Sequence, residues 1–423
     1  MHDAFYNGFP ILYSDTSTYL NTGFEYITPS DRPITYGYFL RIASLNGFSL
    51  WFAVFFQSLI LSYLIHQLFK LIFGENINVR FLVTMLFLSL FTGVSWVSSQ
   101  LVSDIFTPIT VLCLVLILFG NNSKRKLYFL YFLFFISCAM HVSHLILFIG
   151  LLVLILLFKK FIFSENIIPK KKIIVLFCLI TFGLITMGHA LARSRHVFFM
   201  GAMVEHGILK KYLDENCGTK DYKLCQYKDS LNIRAWQFVW EDWSPLYKLG
   251  NWNESKKEIN EIIFATFITP KYLWIHVKES IKATIDQLEK FRIGDGNGAF
   301  HEETRLYKRI QLYLPNEMEQ YRDSKQYNEE LSMIDFGNTI IYWVMIVSII
   351  VLLVLSIINR SLFSKTFLSV IIILILAILL NAWDCGTFAN AIDRLGCRMM
   401  WMIPLLSLLT LFRFLDTRKR NQI

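Results

Sequence analysis

Charge is scarce in this chain. Only 17% of its 423 residues are Asp, Glu, Lys or Arg, against 55% hydrophobic and 16% aromatic, a balance that excludes a string of soluble domains, a secreted enzyme and a cytosolic nucleotide-binding domain. The apolar runs lack the alternation of an outer-membrane barrel, being continuous instead. Several chemical signatures are also missing. There is no nucleophile elbow, no phosphate-cradling glycine loop and no metalloprotease helix. No cysteine pair has zinc spacing with histidines nearby, and Asp295-Gly296-Asn297-Gly298 lacks the later Glu of a calcium loop, so a tight turn suffices for it. No internal repeat marks paired transporter halves.

What is present is a series of apolar runs near the length that crosses a hydrocarbon layer of about 30 Å. They cover 48–72, 80–96, 105–120, 127–140, 142–158, 172–190, 339–358, 362–381 and 398–415, which predicts an all-α, polytopic transmembrane helical bundle of about nine spans. Basic clusters at Lys124-Arg125-Lys126, Lys159-Lys160 with Lys170-Lys171-Lys172, Arg360 with Lys365, and Arg418-Lys419-Arg420 all fall on one side if 127–158 crosses twice. With Lys70, Arg80 and Arg413, that side holds 16 Lys and Arg against three acids, Glu75, Glu165 and Asp416. Topology therefore absorbs the net charge of +9, and none is left over that asks for nucleic acid.

The expectation is a multi-pass protein of a bacterial inner membrane with a cytoplasmic C-terminus. An N-terminal membrane module, 1–192, carries an outer loop 1–47 and six spans; 193–338 is an extracytoplasmic, mostly helical domain; 339–423 is a C-terminal module of three spans. Residues 97–104 and the turn 382–397 also lie outside. Residues 1–12 contain no signal peptide, so either the first 47 residues translocate behind the 48–72 helix or a first helix precedes Met1.

The insert holds Trp236, Trp240, Trp243 and Trp252. Leu273, Val277, Ile281, Ile285 and Leu288 share one side of a helix over 271–292, expected to pack on the domain core, with the bilayer surface as the alternative. Cys217 and Cys225 are close in sequence in an oxidising compartment and are expected to form a disulfide. Cys385 and Cys397 are either a second pair or helix-packing residues. Cys113, Cys138 and Cys178 read as packing.

Ionisable groups at a bilayer edge are expensive, so each is a functional candidate. Asp15 precedes a short helix, as N-cap, as catalytic carboxylate or as both. Asp31-Arg32-Pro33 is followed by Tyr36 and Arg41; the Pro holds Arg32 extended, toward a phosphate or in a salt bridge with Asp31. Asp104 ends a polar run from Ser98 and is an N-cap or a site residue. Arg394 and Arg398 head the last span, and His189, Arg193, Arg195 and His196 leave the sixth, on the side where basic residues are disfavoured. That placement calls for a partner anion. His141 and His144 either bind a metal or cap a helical hairpin.

Asp15 in Ser-Asp-x-x-x-Tyr, Arg32-Pro33 with Tyr36, and the stretch from Gln100 to Asp104 together resemble the N-terminal module of the C-type (GT-C) integral-membrane glycosyltransferases, over about residues 10–120. The stretch from Ser194 to Pro245 and the end from Arg394 through Trp401 to Pro404 are similar to a set of uncharacterised bacterial inner-membrane proteins, which supplies no activity. The first resemblance implies a reaction: a sugar passes from a polyprenyl-phosphate carrier to a glycan, lipid or protein acceptor on the outer side of the membrane. It implies Asp15 as general base, Asp104 orienting the acceptor or a metal, and Arg32, Arg394 and Arg398 neutralising the lipid phosphate. Tyr36, Arg41 and Arg193 join the expected substrate-binding set. No Asp-x-Asp occurs in the outer loops; no metal ligand and no cofactor is assigned, though a divalent metal is compatible. The alternatives are an O-antigen polymerase or ligase type of enzyme, a transporter or flippase, and an assembly protein.

Overall fold

The computed structural model describes residues 1–75, 77–158, 169–359 and 362–421, with side chains to residue 418. Lys159, Lys160, Glu165, Arg360 and the side chains of Lys419 and Arg420, used above to orient the chain, lie outside the described residues. Among the described residues the chain is all helical, with a single parallel bridge between Ile11 and Gln100.

Five segments are long and apolar enough to cross a membrane: Leu50–Phe73, Lys170–Glu205, Ile334–Ile358, Lys365–Phe388 and Asp393–Arg418. The other expected spans are shorter. Asn78–Phe91, Ser103–Phe119 and Ser143–Phe158 are apolar but short, and Lys124–Cys138 has 15 residues. At 1.5 Å per residue such helices rise only about 21–26 Å, less than the hydrocarbon thickness.

The helices that place the site are α1 (Ser14–Glu25), α2 (Thr35–Ala43), α3 (Leu50–Phe73), α4 (Phe106–Phe119), α5 (Ser143–Phe158), α6 (Lys170–Glu205), α7 (Ala235–Trp240), α8 (Lys256–Ile268), α9 (Pro270–Glu289), α10 (Lys365–Phe388) and α11 (Asp393–Met400). Every residue of α4 from Phe106 to Leu118 is buried. A helix apolar on all sides belongs in the middle of a bundle, and α4 is the axis of the main core. At the far ends of α3 and α4, the basic groups tie neighbouring segments together: Lys126 Nζ donates to Gln67 Oε1 at 2.7 Å, Lys172 Nζ to the Leu118 carbonyl at 3.4 Å, and Arg80 pairs with Asp416. The near ends carry the charged cluster described below.

α1 and α2 cross closely because neither has a side chain at the contact: a Cβ on Gly23 would collide with the carbonyl oxygen of Gly37. Thr16 Oγ1 donates to the Leu101 carbonyl at 2.9 Å, and Gln57 Nε2 donates to the carbonyls of Ser98 and Gln100. These bonds hold the start of α1 and the first half of α3 against the 98–104 stretch.

The 193–338 region divides. Its boundary at 193 falls inside α6, which runs unbroken to Glu205. Val197, Met200, Leu213, Phe238, Ile259 and Tyr272 form a second core of their own. Leu306, Tyr307, Ile310 and Tyr321 belong instead to the main core. Gln326 explains why: its amide both accepts from the Leu12 N–H and donates to the Leu12 carbonyl, fastening this end of the region to the N-terminal segment.

The disulfide Cys217–Cys225 is present. Cys385 and Cys397 are buried and unpaired, the packing alternative. α9 turns the expected face outward: Val277, Ile281 and Ile285 are exposed, while Tyr272, Ala283 and Gln287 are buried. Small groups decide this. A Cβ on Gly386 of α10 would lie 2.5 Å from the Ala283 carbonyl oxygen, and Ser280 bonds to Thr387 and Trp383, so α9 packs on α10 through its small and polar face.

Candidate functional site

Asp15 is neither the N-cap nor free. It sits in the first turn of α1, behind a Tyr13 N–H that donates to Thr16 Oγ1. Its Oδ1 lies 2.9 Å from Arg32 Nη1 and its Oδ2 accepts from Arg394 Nη1 at 3.3 Å. Arg394 also stands 3.3 Å from Asp104 Oδ2, and Arg398 Nη1 donates to Asp104 Oδ1 at 2.8 Å. Four segments distant in sequence thus share one alternating chain of charges: α1, the 31–32 loop, the 103–105 turn and α11. Arg394 and Arg398 reach it together because i and i+4 share a helix face.

Each charge has local support. Arg32 donates through Nε to Asp31 at 2.8 Å and lies over the Tyr19 ring, so the Asp31 salt bridge and the Nη1 contact with Asp15 coexist. The Arg394 guanidinium is 4.0 Å from the Tyr13 ring centroid. Arg398, fully buried, donates Nε and Nη2 to Asn381 Oδ1 at 3.0 and 2.8 Å, and Nη2 reaches Ser143 Oγ and Cys385 Sγ. Burial would raise the Asp15 carboxyl, but Arg32 and Arg394 outweigh it and hold Asp15 below the usual carboxylate range. Burial pushes the Tyr19 phenol up to about 12, keeping it a neutral partner of Ser103 at 2.9 Å.

The cluster faces a cavity of about 1090 Å³ with two kinds of wall. Asp15, Asp31, Arg32, Arg394, His141 and Asp384 contribute polar lining, and Phe198, Phe199, Trp236, Trp240, Phe264 and Phe388, from α6, α7, α8 and α10, contribute aromatic lining. Two buried guanidinium nitrogens have no hydrogen-bond acceptor among the described residues, Arg32 Nη1 and Arg394 Nε; the Arg32 contact with Asp15 is an ion pair without hydrogen-bond alignment.

Of the residues expected from sequence, Asp15, Arg32 and Arg394 line the cavity, and Asp104 and Arg398 stand directly behind them. Asp104 is held in the short helix Ser103–Ile105, not at a cap. Tyr36 stands one layer back, packed on Tyr19 and donating to Gln57 Oε1 at 3.3 Å. Arg41 is elsewhere: it bonds Asn46 and the Gly23 carbonyl and lies over Tyr26. Arg193 lines an adjoining groove with Trp240 and Trp252, while Arg195 and His196 reach the main cavity.

The histidine pair is a hairpin cap. His144 has both ring nitrogens engaged, Nδ1 on the Ser137 carbonyl and Nε2 on Thr107 Oγ1, each at 2.7 Å, which leaves no lone pair for a metal. Burial pushes His141 down to about 3, with Arg398 adding to the effect, so it stands neutral in the cavity wall. Among the described residues no group of three or more His, Cys, Asp or Glu is placed to hold a metal ion. Asp384 and Asn381 are absent from the set expected from sequence: the apolar run there stops at 381, whereas α10 continues to Phe388. The signal was available, since Asp384 is an acid inside an otherwise apolar helix. No protein-family model, curated protein or solved structure matches this chain.

Proposed function

We propose that the protein is an inner-membrane glycosyltransferase that moves a sugar from a polyprenyl-phosphate carrier to an acceptor at the extracytoplasmic face. The observation that carries this reading is the pairing, in one cavity, of two buried arginine guanidinium groups, Arg32 and Arg394, with a broad aromatic wall. Phosphate oxygens accept such donors strongly, and an isoprenoid tail suits the aromatic wall. Few other ligands need both at once.

In this reading the carrier phosphate meets Arg32 and Arg394, whose charges stabilise the negative charge that grows on the phosphate oxygen as the glycosidic bond breaks. Asp104 and Arg398 hold Arg394 in place from behind. A carboxylate of the cavity takes the acceptor's proton; Asp15, Asp31 and Asp384 line it, and Asp31 is bound by Arg32. The five long segments and four shorter apolar helices make nine crossings, the short ones where the bilayer thins around them. The basic ends of α3 and α4 then face the cytoplasm and the cavity opens outward with the insert.

Asp15→Asn and Arg398→Ala in cells test the reading. The expected result is loss of a surface glycan or glycolipid with both variants, at normal protein level for Asp15→Asn. Unchanged glycans with both variants would leave a carrier or scaffold instead.

A further inference from the structure

Three carboxylates line the cavity, and they differ in what holds them: Asp31 accepts two hydrogen bonds from Arg32. Asp15 is gripped on both oxygens, by Arg32 and by Arg394. Asp384 is 3% exposed, and its Oδ2 has no hydrogen-bond donor among the described residues. Buried polar atoms are nearly always paired, and an unpaired carboxylate oxygen is among the costliest exceptions a fold retains. Structures keep such groups where a ligand completes them.

The surroundings show how Asp384 is kept bare. Arg398 spends its donors on the residues around Asp384: on Asn381, one helical turn earlier, on Cys385, the next residue, and on Asp104 and Ser143. The guanidinium contributes its field to this part of the cavity without a bond to Asp384. Asp384 and Arg394 line the same cavity from α10 and α11.

Resting on the sugar-transfer reading, we propose that Asp384 is the base that takes the proton of the acceptor hydroxyl, while Asp15 aligns Arg32 and Arg394 for the phosphate. The acceptor oxygen attacks the anomeric carbon and forms the new glycosidic bond. The bond from that carbon to the phosphate oxygen breaks, and its electron pair stays on the phosphate, facing Arg32 and Arg394. The hydroxyl proton goes to the Asp384 carboxylate. Nothing else is consumed, and no redox partner or metal enters the balance. The division of labour follows from the contacts: a carboxylate between two cations has little tendency to bind a proton, whereas one with a free oxygen accepts it readily.

The test uses the full-length protein in a strain whose own copy is replaced by Asp384→Asn, Asp384→Glu or Arg394→Gln. Surface glycan, polyprenyl-phosphate sugar in lipid extracts, protein level and unfolding temperature in detergent are read together. A lost general base lowers transfer about 10²–10⁴-fold. Asp384→Asn should therefore abolish the glycan and make the lipid-linked sugar accumulate, and the glutamate variant should restore part of the transfer. Unfolding should occur at or above the wild-type temperature, because an unpaired buried carboxylate is removed. Near-normal glycan with Asp384→Asn, together with loss in Arg394→Gln, overturns Asp384 as the base and leaves the transferase reading standing. Glycan unchanged in every variant overturns both. A lowered unfolding temperature in Asp384→Asn makes the residue structural and also ends the proposal.

Discussion

Replacing Arg398 by Met would show how firmly the charged chain is built. Arg398 is fully buried, and Asp104, its partner at 2.8 Å, is 2% exposed. Removing one member of a buried pair leaves the other uncompensated, at about 3–5 kcal/mol. Here Arg394 remains 3.3 Å from the other oxygen of Asp104, so the loss belongs at the lower end, about 3 kcal/mol. Asp104→Asn in the same protein removes the stranded charge. The double variant should then be less destabilised than the sum of the singles, with a coupling of about 1–3 kcal/mol, the range for residues in one network. Reversible unfolding of the four proteins in the same detergent gives that coupling. A coupling below about 0.5 kcal/mol, the level of independent sites, would refute Asp104–Arg398 as the link that joins α11 to the 103–105 turn.

Three further outcomes follow from the contacts. Cys217→Ser opens a short loop, and chain entropy puts the cost at about 2–3 kcal/mol; proteolysis of the 197–275 core should speed up accordingly, and reductant should have the same effect on the wild type. Gly386→Val places a side chain where the Ala283 carbonyl lies 2.5 Å from a Cβ, so α9 must move off α10 at about 1–3 kcal/mol, read as a lowered unfolding temperature. His276, stacked on Phe267, is pushed down to about 4 by burial, with His206 repelling its charged form. The unfolded state takes a proton near the ordinary value of about 6.5 that the folded state refuses. The stability His276 protects is therefore complete above that value and falls as pH drops toward about 4; hydrogen exchange over α8 and α9 should show this, and His276→Gln should flatten it.

The parts of the site that were legible in the sequence are those where a charge has no cheap reason to exist. Asp104, Arg394 and Arg398 stand at the ends of apolar runs, and Asp15 and Arg32 in the loop before the first; the cost of a bare charge at a bilayer edge points to partners and hence to convergence. Arg41 satisfied the same rule and was misplaced, because Asn46 and the Gly23 carbonyl, its actual partners, come close only once α1 and α2 cross. The α9 stripe shows a related gap: periodicity tells which residues share a face, not which face is covered, and Ser280, Ala283 and Gly386 settled that by allowing close approach. Composition marked 193–338 as one polar region, but the side chain of Gln326 and the packing of Tyr321 assign its end to the main core. Such long-range pairings have no local signature. The five long spans were readable from length alone; the short helices were readable as apolar but not as elements of 14 to 16 residues.

If the arginines of this cavity receive a lipid-borne phosphate, a binding titration will show it. Wild-type protein in nanodiscs is titrated with a short-chain isoprenyl phosphate and with the matching isoprenyl alcohol, beside an Arg32→Gln/Arg394→Gln variant. Each lost charge-assisted hydrogen bond is worth about 1.5–3 kcal/mol, or about tenfold to a hundredfold in affinity. Saturable binding of the phosphate, absent for the alcohol and weakened at least tenfold in the double variant, is the predicted result. Equal binding of phosphate and alcohol, or phosphate binding untouched by the loss of both arginines, would contradict it.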